Sequence, residues 1–388
     1  MPTYHTPSLS TTLKNIFSRI NCIMYRYFRF VLAAALSALL LQLVAASSQI
    51  ALGAAEQQPL GGLEPSSAPV ARNFSVGFSL HSSYGAAAII FSYPDGKRET
   101  HTTVYHGSSE YRRVMAKLSL ESSRHIAPPY NDDGEYWADQ PRKALRLAAK
   151  LSGLPASYEV GILADTLRHL RSQLQGAFGI QVTEAVFAAP HLVALYQDDL
   201  EDAAEHLGIR YVTPKHEFLP LVWETSAAYA GHGFGLCPTW WDDQKCMAED
   251  REESKVLLFA VHYSRSALTV SLAKILHSAT SLYEPDWRHA ENYTLGQDAL
   301  AKYDRAPDYW GDVKSHLLSI SREYPSFEKP DLVLITGNAA DGEFKHVLEE
   351  ALMEDMGRVP PFIDRDPVVV AAKGAAEFMR RGPAPWSS

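Results

Sequence analysis

Two polar turns carry the side chains best suited to contact an anion or a flat ligand. Thr336, Gly337 and Asn338 follow the short apolar run Leu332–Ile335, which is typical of a buried strand. Because glycine has no Cβ, another backbone or a flat ligand can come close to Gly337. In the second turn, the guanidinium of Arg265 is able to pair bidentately with a phosphate or a carboxylate. The alternative for Arg265 is a solvent-facing side chain, or one paired with an acidic neighbour.

Two hairpins, one near residue 76 and one near residue 257, are the elements that recur along the chain. Short apolar runs around polar turns predict their strands over Ser75–Leu80, Ala86–Phe91 and Glu99–Val104, and over Val256–Val261 and Ala267–Leu272. Helical spacing predicts further helices over Arg142–Leu151, Ile162–Phe178, Ala194–Leu207 and Leu219–Ala230. The acidic segment Asp242–Glu253 is expected to be a solvated loop.

The last predicted helix is unusually rich in small residues. It carries Ala371, Ala372, Gly374, Ala375 and Ala376. Side chains of this size leave the helix surface open to a close neighbour. We therefore expect another element to pack very tightly against it.

Length and charge limit the classes of function. The 388 residues are 46% apolar, which is enough for one large domain or two lobes. The net charge is −9, and the first 49 residues hold four basic side chains and no acidic one, so the rest of the chain is more acidic still. An acidic body has no electrostatic footprint for nucleic acid. Binding to DNA or RNA is therefore excluded.

The N-terminal segment 1–49 has the pattern of a signal peptide. Its apolar stretch Phe30–Ala46 follows basic residues and precedes small ones, and Met24 would give a more conventional start. An uncleaved type II membrane anchor is the alternative, as is an intracellular protein with a wrongly assigned N-terminus. Residues 50–72, rich in Pro, Gly, Ser and Ala, are predicted to be a linker. We expect the remainder in the secretory lumen or outside the cell, with membrane contact only through the apolar stretch.

Two kinds of modification agree with that location. Asn73 and Asn292 lie in glycosylation acceptor tripeptides. Cys237 and Cys246 flank a polar loop and are expected either to form a disulfide or to remain two free thiols. No group of Cys and His has the spacing of a zinc site.

Five segments in order resemble the actin-like ATPase superfamily, most closely the nucleotide-binding domain of the 70-kilodalton heat-shock chaperones. They are the two hairpins, VFAAPHLVALYQDDLEDAAEHLGIRYV, WETSAAYAGHG with Glu224, and the C-terminal run Leu332–Met379. The resemblance implies an α/β, two-lobed actin-like (ribonuclease H-like) ATPase fold with a central cleft. It further implies lobe I over 73–253 with 363–382, a shortened lobe II over 254–362, and a tail over 383–388.

The first hairpin turn departs from the metal-binding pattern of that family. The family holds Mg²⁺ and phosphate there with an Asp, a Gly and two hydroxyl residues. Ser79 and His81 stand at the Asp and Gly positions, while Ser82 and Ser83 retain the two hydroxyls. A neutral serine cannot replace a carboxylate beside a hard cation.

The second hairpin turn departs in the same way. His262 stands at the position of the family's Asp, and Ser264, Arg265 and Ser266 stand where it has three glycines. Phosphoryl transfer depends on positioning and on charge neutralisation by the metal. We therefore expect no catalytic residue, no metal ligand and no ATP hydrolysis.

These substitutions predict a catalytically inactive, chaperone-like protein of the secretory pathway that acts as a binding or scaffold module for an unidentified protein partner. The chain ends soon after the closing helix, so no peptide-binding domain is expected. Binding of ATP or ADP without metal remains open, at Ser82, Ser83, Glu224, Ser264, Arg265, Ser266, Gly337 and Asn338. The alternative is a divergent but active ATPase or kinase of the same superfamily, with a metal held by other acids such as Glu224.

Overall fold

The first hairpin forms the centre of a six-stranded mixed sheet. The computed structural model describes residues 73–214, 221–252, 256–275, 288–320 and 329–382. The strands of this sheet are β1 (Asn73–Leu80), β2 (Tyr84–Ser92), β3 (Arg98–His106), β4 (Glu184–Ala189), β5 (Arg210–Tyr211) and β6 (Val222–Trp223). Their order is β3-β2-β1-β4, with the two short strands β5 and β6 both paired to β4. The hairpin strands are antiparallel, whereas β4 runs parallel to β1.

The second hairpin forms a five-stranded sheet with the same strand arrangement. Its strands are β7 (Val256–Tyr263), β8 (Leu268–Ile275), β9 (Arg288–Asn292), β10 (Leu332–Thr336) and β11 (Phe362–Ile363). The order is β9-β8-β7-β10-β11, in which three antiparallel strands are followed by two parallel ones. Both hairpins are therefore confirmed, and the fold is mixed α/β with two mixed sheets.

Helices connect and cover the strands. In chain order they are α1 (Ser109–Leu118), α2 (Asp133–Leu151), α3 (Tyr158–Phe178), α4 (Gln197–His206), α5 (Glu224–Gly231), α6 (Asp243–Glu252), α7 (Ala306–Leu317), α8 (Gly342–Met356) and α9 (Val370–Arg380). Side-chain N-caps from Ser108, Asp132, Ser157 and Asp341 begin α1, α2, α3 and α8.

The expectation of a loop over Asp242–Glu253 is wrong, because this segment contains α6. The carboxylate of Asp242 accepts a hydrogen bond from the backbone N–H of Lys245 at 3.1 Å, which is how an aspartate starts a helix. Cys246, within α6, is joined to Cys237 by a disulfide. The acidic composition therefore reflects an exposed, capped helix.

The small residues of α9 have the close neighbours that their size predicts. A Cβ on Gly374 would lie 1.7 Å from the carbonyl oxygen of Ala227 in α5. On the β1 side, a Cβ on Gly77 would lie 2.2 Å from the backbone nitrogen of Ala376. Helix α9 is thus held between α5 and β1 at backbone-to-backbone distance.

Three apolar clusters show how the sheets are packed. One lies between the first sheet and helices α1, α3 and α4, and a second lies between the second sheet and helices α7 and α8. The third joins Val186 and Ala188 of β4 to Leu258 and Ala260 of β7, together with apolar residues of α5 and α9. The described residues of both sheets accordingly belong to one compact unit.

We predict that Gly374→Ala lowers the free energy of unfolding by about 3 kcal/mol or more, because the added methyl group forces α9 away from α5. Denaturant unfolding of the full-length protein measures this change. Gly176→Ala is the matched control, since Gly176 also lies in a helix but a Cβ there meets nothing within 4 Å. This control should stabilise the protein by about 1 kcal/mol. Equal effects of the two changes would contradict the close contact.

Candidate functional site

Four elements bring polar side chains to one point between the sheets. The segment His81–Ser83 follows β1, and Ser264–Ser266 follows β7. Thr336 ends β10 and pairs with His262 across the parallel strands β10 and β7. Glu224 begins α5, directly after β6. The site therefore forms where the carboxyl ends of neighbouring strands meet, which is the usual place for polar groups in such sheets.

The two hairpin turns contact each other through their serines. Ser82 Oγ and Ser264 Oγ are 2.6 Å apart. Ser266 Oγ donates a hydrogen bond to the backbone oxygen of Ser82 at 3.2 Å. Ser82, Ser264 and the preceding His81 are at most 1% exposed. The turns are thus closed onto one another.

The turn after β10 joins the same group. Asn338 Oδ1 accepts hydrogen bonds from the backbone N–H of Arg265 at 3.2 Å and from Ser83 Oγ at 3.5 Å. Of the eight residues that the sequence singles out as nucleotide contacts, the structure links six to one another: Ser82, Ser83, Ser264, Arg265, Ser266 and Asn338. Glu224 instead contacts His262 and Thr336, and Gly337 lies against the backbone of Tyr263.

Gly337 is contacted by backbone. Its φ is +107°, and a Cβ there would lie 2.0 Å from the carbonyl oxygen of Tyr263. Of the two alternatives for this glycine, close approach by another backbone is the one found. Any side chain at this position would separate β10 from the turn after β7.

Of the two alternatives for Arg265, the structure shows an exposed side chain that is paired with an acidic neighbour. Its Nε donates to Asp298 Oδ1 at 3.0 Å, and its side chain is 56% exposed. Arg112 lies 3.6 Å from the same carboxylate. The guanidinium therefore belongs to an exposed ion-pair group and points away from the buried serines.

Side chains fill the point at which the two hairpin turns meet. His81, Ser264 and Ser266 stand at positions where the family that the sequence resembles has glycine. Near them, the structure has a cavity of about 20 Å³ that Glu224, His262 and Thr336 help to line. Such a volume holds roughly one water molecule.

A buried cluster of His81, Glu224 and His262 is the feature that sequence reasoning missed. Glu224 Oε1 lies 2.7 Å from His262 Nδ1 and 3.2 Å from His81 Nδ1. The three side chains are at most 6% exposed. The planes of the two imidazole rings are nearly parallel, within 7°, and the ring centroids are 5.3 Å apart. Both histidines were visible in the sequence as replacements within the turns, but nothing in their spacing placed them around Glu224.

Burial and mutual attraction act in opposite directions on these groups. Burial lowers the pKa of His81, and attraction to Glu224 offsets this only in part. Burial alone would raise the pKa of Glu224, but His262 and His81 outweigh it, so the pKa of this carboxyl is well below its usual range. Burial, with Glu224 adding to it, raises the pKa of Tyr84, whose ring stacks on His81. Glu224 is therefore an anion and Tyr84 a neutral phenol.

A chain of hydroxyl groups reaches Nε2 of His262. Ser264 Oγ contacts the carbonyl oxygen of Ala267 at 3.1 Å and Ser82 Oγ at 2.6 Å. Ser82 Oγ lies 3.2 Å from Nε2 of His262. The buried imidazole is therefore tied to both hairpin turns.

The other ring nitrogen of His262 faces only acceptors. Thr336 Oγ donates its proton to Glu224 Oε1 at 2.7 Å. Nδ1 of His262 lies 2.7 Å from that same oxygen and 3.0 Å from Thr336 Oγ. A bare lone pair at Nδ1 would be repelled by the carboxylate, so Nδ1–H donates a hydrogen bond to Glu224 Oε1.

The remaining predicted sites lie away from this cluster. Cys237 and Cys246 form a disulfide, and Trp240 packs against it. Asn73 is exposed at the start of β1, whereas Asn292 is half-buried and its Oδ1 accepts from the backbone and hydroxyl of Thr294. Both acceptor tripeptides stay predictions.

The N-terminal signal or anchor and the linker fall in residues 1–72, outside the described residues. Within the described residues, no helix has the length and apolar character needed to cross a membrane.

Neither a scan against models of protein families nor a search of curated proteins finds a match to the chain.

We predict that Glu224→Gln lowers the free energy of unfolding by about 1–3 kcal/mol, because the amide weakens the buried hydrogen bonds that the carboxylate accepts from Thr336 and His262. Chemical denaturation of the full-length protein measures the change. The control is Glu205→Gln, which removes a largely exposed ion pair with Lys150 and should cost less than about 1 kcal/mol. Equal stability of Glu224→Gln and the wild type would show that these buried hydrogen bonds do not stabilise the fold.

Proposed function

We propose that the chain is a catalytically inactive relative of the actin-like ATPases, with a two-lobed, chaperone-like nucleotide-binding fold that serves as a binding or scaffold module. The direct contact between its two hairpin turns is the observation that carries this proposal. Ser82 Oγ and Ser264 Oγ are 2.6 Å apart. In a working enzyme of this kind, the phosphates and the metal would lie between these turns.

The strand order supports the fold part of the proposal. Each sheet has three antiparallel strands followed by parallel ones, in the orders β3-β2-β1-β4-β5 and β9-β8-β7-β10-β11. A hairpin opens each half, and its turn lies at the junction of the two sheets. Two copies of one ribonuclease H-like unit, facing each other across their hairpin turns, have this arrangement.

The small space between the turns, among the residues that the structure describes, supports the inactive part of the proposal. Pockets for ligands of drug size have volumes of about 300–1,000 Å³. The cavity beside Glu224 and His262 has about 20 Å³. A triphosphate would have to separate Ser82 from Ser264 and both from the backbone that contacts Gly337.

The state of Glu224 weighs against the alternative of an active ATPase or kinase. This is the acid that the alternative requires as a replacement metal ligand. Its Oε1 already accepts from Thr336 and lies against both imidazoles. Hard Mg²⁺ prefers oxygen ligands and retains several waters, whereas this buried cluster offers two imidazole nitrogens and room for about one water.

Secretory location is part of the same proposal and is supported by the sequence pattern of residues 1–49 and by the disulfide between Cys237 and Cys246. Disulfides persist mainly in oxidising compartments. Sensitivity of the protein to glycosidase, lost in a variant with Asn73→Gln and Asn292→Gln, tests this part separately.

We predict that ATP and ADP, with or without Mg²⁺, give no heat in calorimetric titration of the full-length protein and do not raise its melting temperature. The reason is that the phosphate positions are filled by hydrogen-bonded side chains. Micromolar binding without metal would instead indicate a nucleotide-sensing protein that has lost hydrolysis.

Magnesium-dependent ATP hydrolysis would contradict the proposal if it disappears on changing Ser82→Ala with Ser83→Ala. Ser122→Ala is the matched control, because Ser122 is exposed and remote from the turns. Hydrolysis that survives the double change would come from a contaminating enzyme.

A further inference from the structure

We propose that His81, Glu224 and His262 form a structural site for a divalent transition metal, with Zn²⁺ as the best-suited ion. The inference rests on the buried cluster alone and does not depend on the proposed function. Each of His81, Glu224 and His262 offers one ligand atom, and these three atoms lie within 4.8 Å of one another. Thr336 Oγ is a fourth polar atom in the group, 3.0 Å from His262 Nδ1 and 2.7 Å from Glu224 Oε1.

The two distances from Glu224 to the histidines are close to those between neighbouring ligands of one bound ion. Zinc binds imidazole nitrogen at about 2.0–2.1 Å and carboxylate oxygen at about 2.0–2.2 Å, so its tetrahedral ligands lie about 3.3 Å apart. Glu224 Oε1 is already 3.2 Å from His81 Nδ1. Its 2.7 Å distance to His262 Nδ1 needs to widen by only about half an ångström.

The hydrogen bonding of the cluster favours a metal ion. Nδ1 of His262 faces the carboxylate of Glu224 at 2.7 Å, and a metal ion can take the place of the proton between them. Neither ring nitrogen of the buried His81 makes a hydrogen bond within the described part of the chain. Its Nδ1 lies near Glu224 Oε1 without the geometry of a hydrogen bond. A metal ion would give this nitrogen a partner.

The surroundings of the cluster resemble those of a metal ligand. Nε2 of His262 lies at hydrogen-bond distance from Ser82 Oγ, 3.2 Å away, while Nδ1 faces Glu224 and would face the ion. Such outer hydrogen bonds fix the tautomer and orientation of metal-bound histidines. Ser82 is fixed in turn by Ser264 at 2.6 Å.

The identity of the ion follows from the donor atoms. Two imidazoles and one carboxylate suit Zn²⁺ and its neighbours, whereas Mg²⁺ and Ca²⁺ prefer oxygen alone. The three side chains are at most 6% exposed, and Thr336 fills the remaining side. A closed site of this kind is structural, because catalytic zinc keeps a position open for water or substrate.

The test measures metal bound to the full-length protein. Protein expressed with added Zn²⁺, or refolded with Co²⁺, is expected to retain one equivalent after dialysis. Bound Co²⁺ should give the visible absorption of a four-coordinate site, and removal of the metal should lower the melting temperature. A folded wild-type protein that retains neither ion would overturn the proposal.

Variants assign the metal to its ligands. His81→Gln and His262→Gln should each weaken binding by more than about 100-fold. His316→Gln is the matched control, since His316 lies on α7 in another part of the second sheet's packing, and it should retain one equivalent. If the ligand variants do not fold, Ser82→Ala provides a milder test and should weaken binding by about 10-fold through His262.

The experiment must also distinguish this cluster from a second group of potential metal ligands. Cys237, Cys246 and Glu249 also lie close together, but the disulfide removes both thiolates. Cys237→Ser combined with Cys246→Ser should leave the metal content unchanged. Loss of the metal in this variant, or full retention of it in folded His81→Gln and His262→Gln, would overturn the assignment.

Discussion

The carboxylate of Glu224 is buried, and the contacts that replace its lost water link α5 to both sheets. Removing an anion from water is costly unless hydrogen bonds and opposite charge replace the water. Glu224 obtains these from Thr336 at the end of β10 and from His262 in β7, with His81 beside it after β1. The start of α5 is therefore tied to both sheets. Since both turns must stay close for this, the space between them is filled by their own side chains.

Backbone contacts hold the helix that carries Glu224. Gly374 of α9 lies against Ala227 of α5, and a Cβ on Gly231 would be 2.0 Å from the carbonyl oxygen of Val370. Through Gly77, α9 also touches β1. Small residues at these crossings thus set the distance between α5 and the first sheet, and that distance in turn places the carboxylate.

The sequence predicts the parts of the fold that local pattern determines. The two hairpins, the strand ending at Thr336 and the small-residue helix α9 are found because apolar periodicity and side-chain size are local properties. Strand β9 has the polar sequence RHAEN and is set by pairing with β8, so its own pattern gives no signal. The many charges of α6 indicate a solvated loop, whereas the helix depends on the cap that Asp242 provides, which composition does not reveal.

The candidate site could likewise be predicted from the sequence only in part. The order of motifs along the chain brought out Ser82, Ser264 and Asn338, which do lie together. The environment of His81 and His262 depends on contacts between segments far apart in the chain, and single-sequence spacing carries no information about such contacts. The sequence shows that histidines replace the glycine and the aspartate at these positions. It does not show that both imidazoles lie beside Glu224.

The position of α9 in the chain bears on how the protein is made. This helix covers one face of β1 and β2, where Ala372 and Ala376 pack on Ala86 and Ala88. Those strands are synthesised before the second sheet, and the helix that covers them is synthesised after it. During translation, an apolar face of the first sheet stays open until residue 380 has emerged. Such exposed surface is where nascent chains aggregate or bind chaperones, so this chain depends on its final helix to end that exposure.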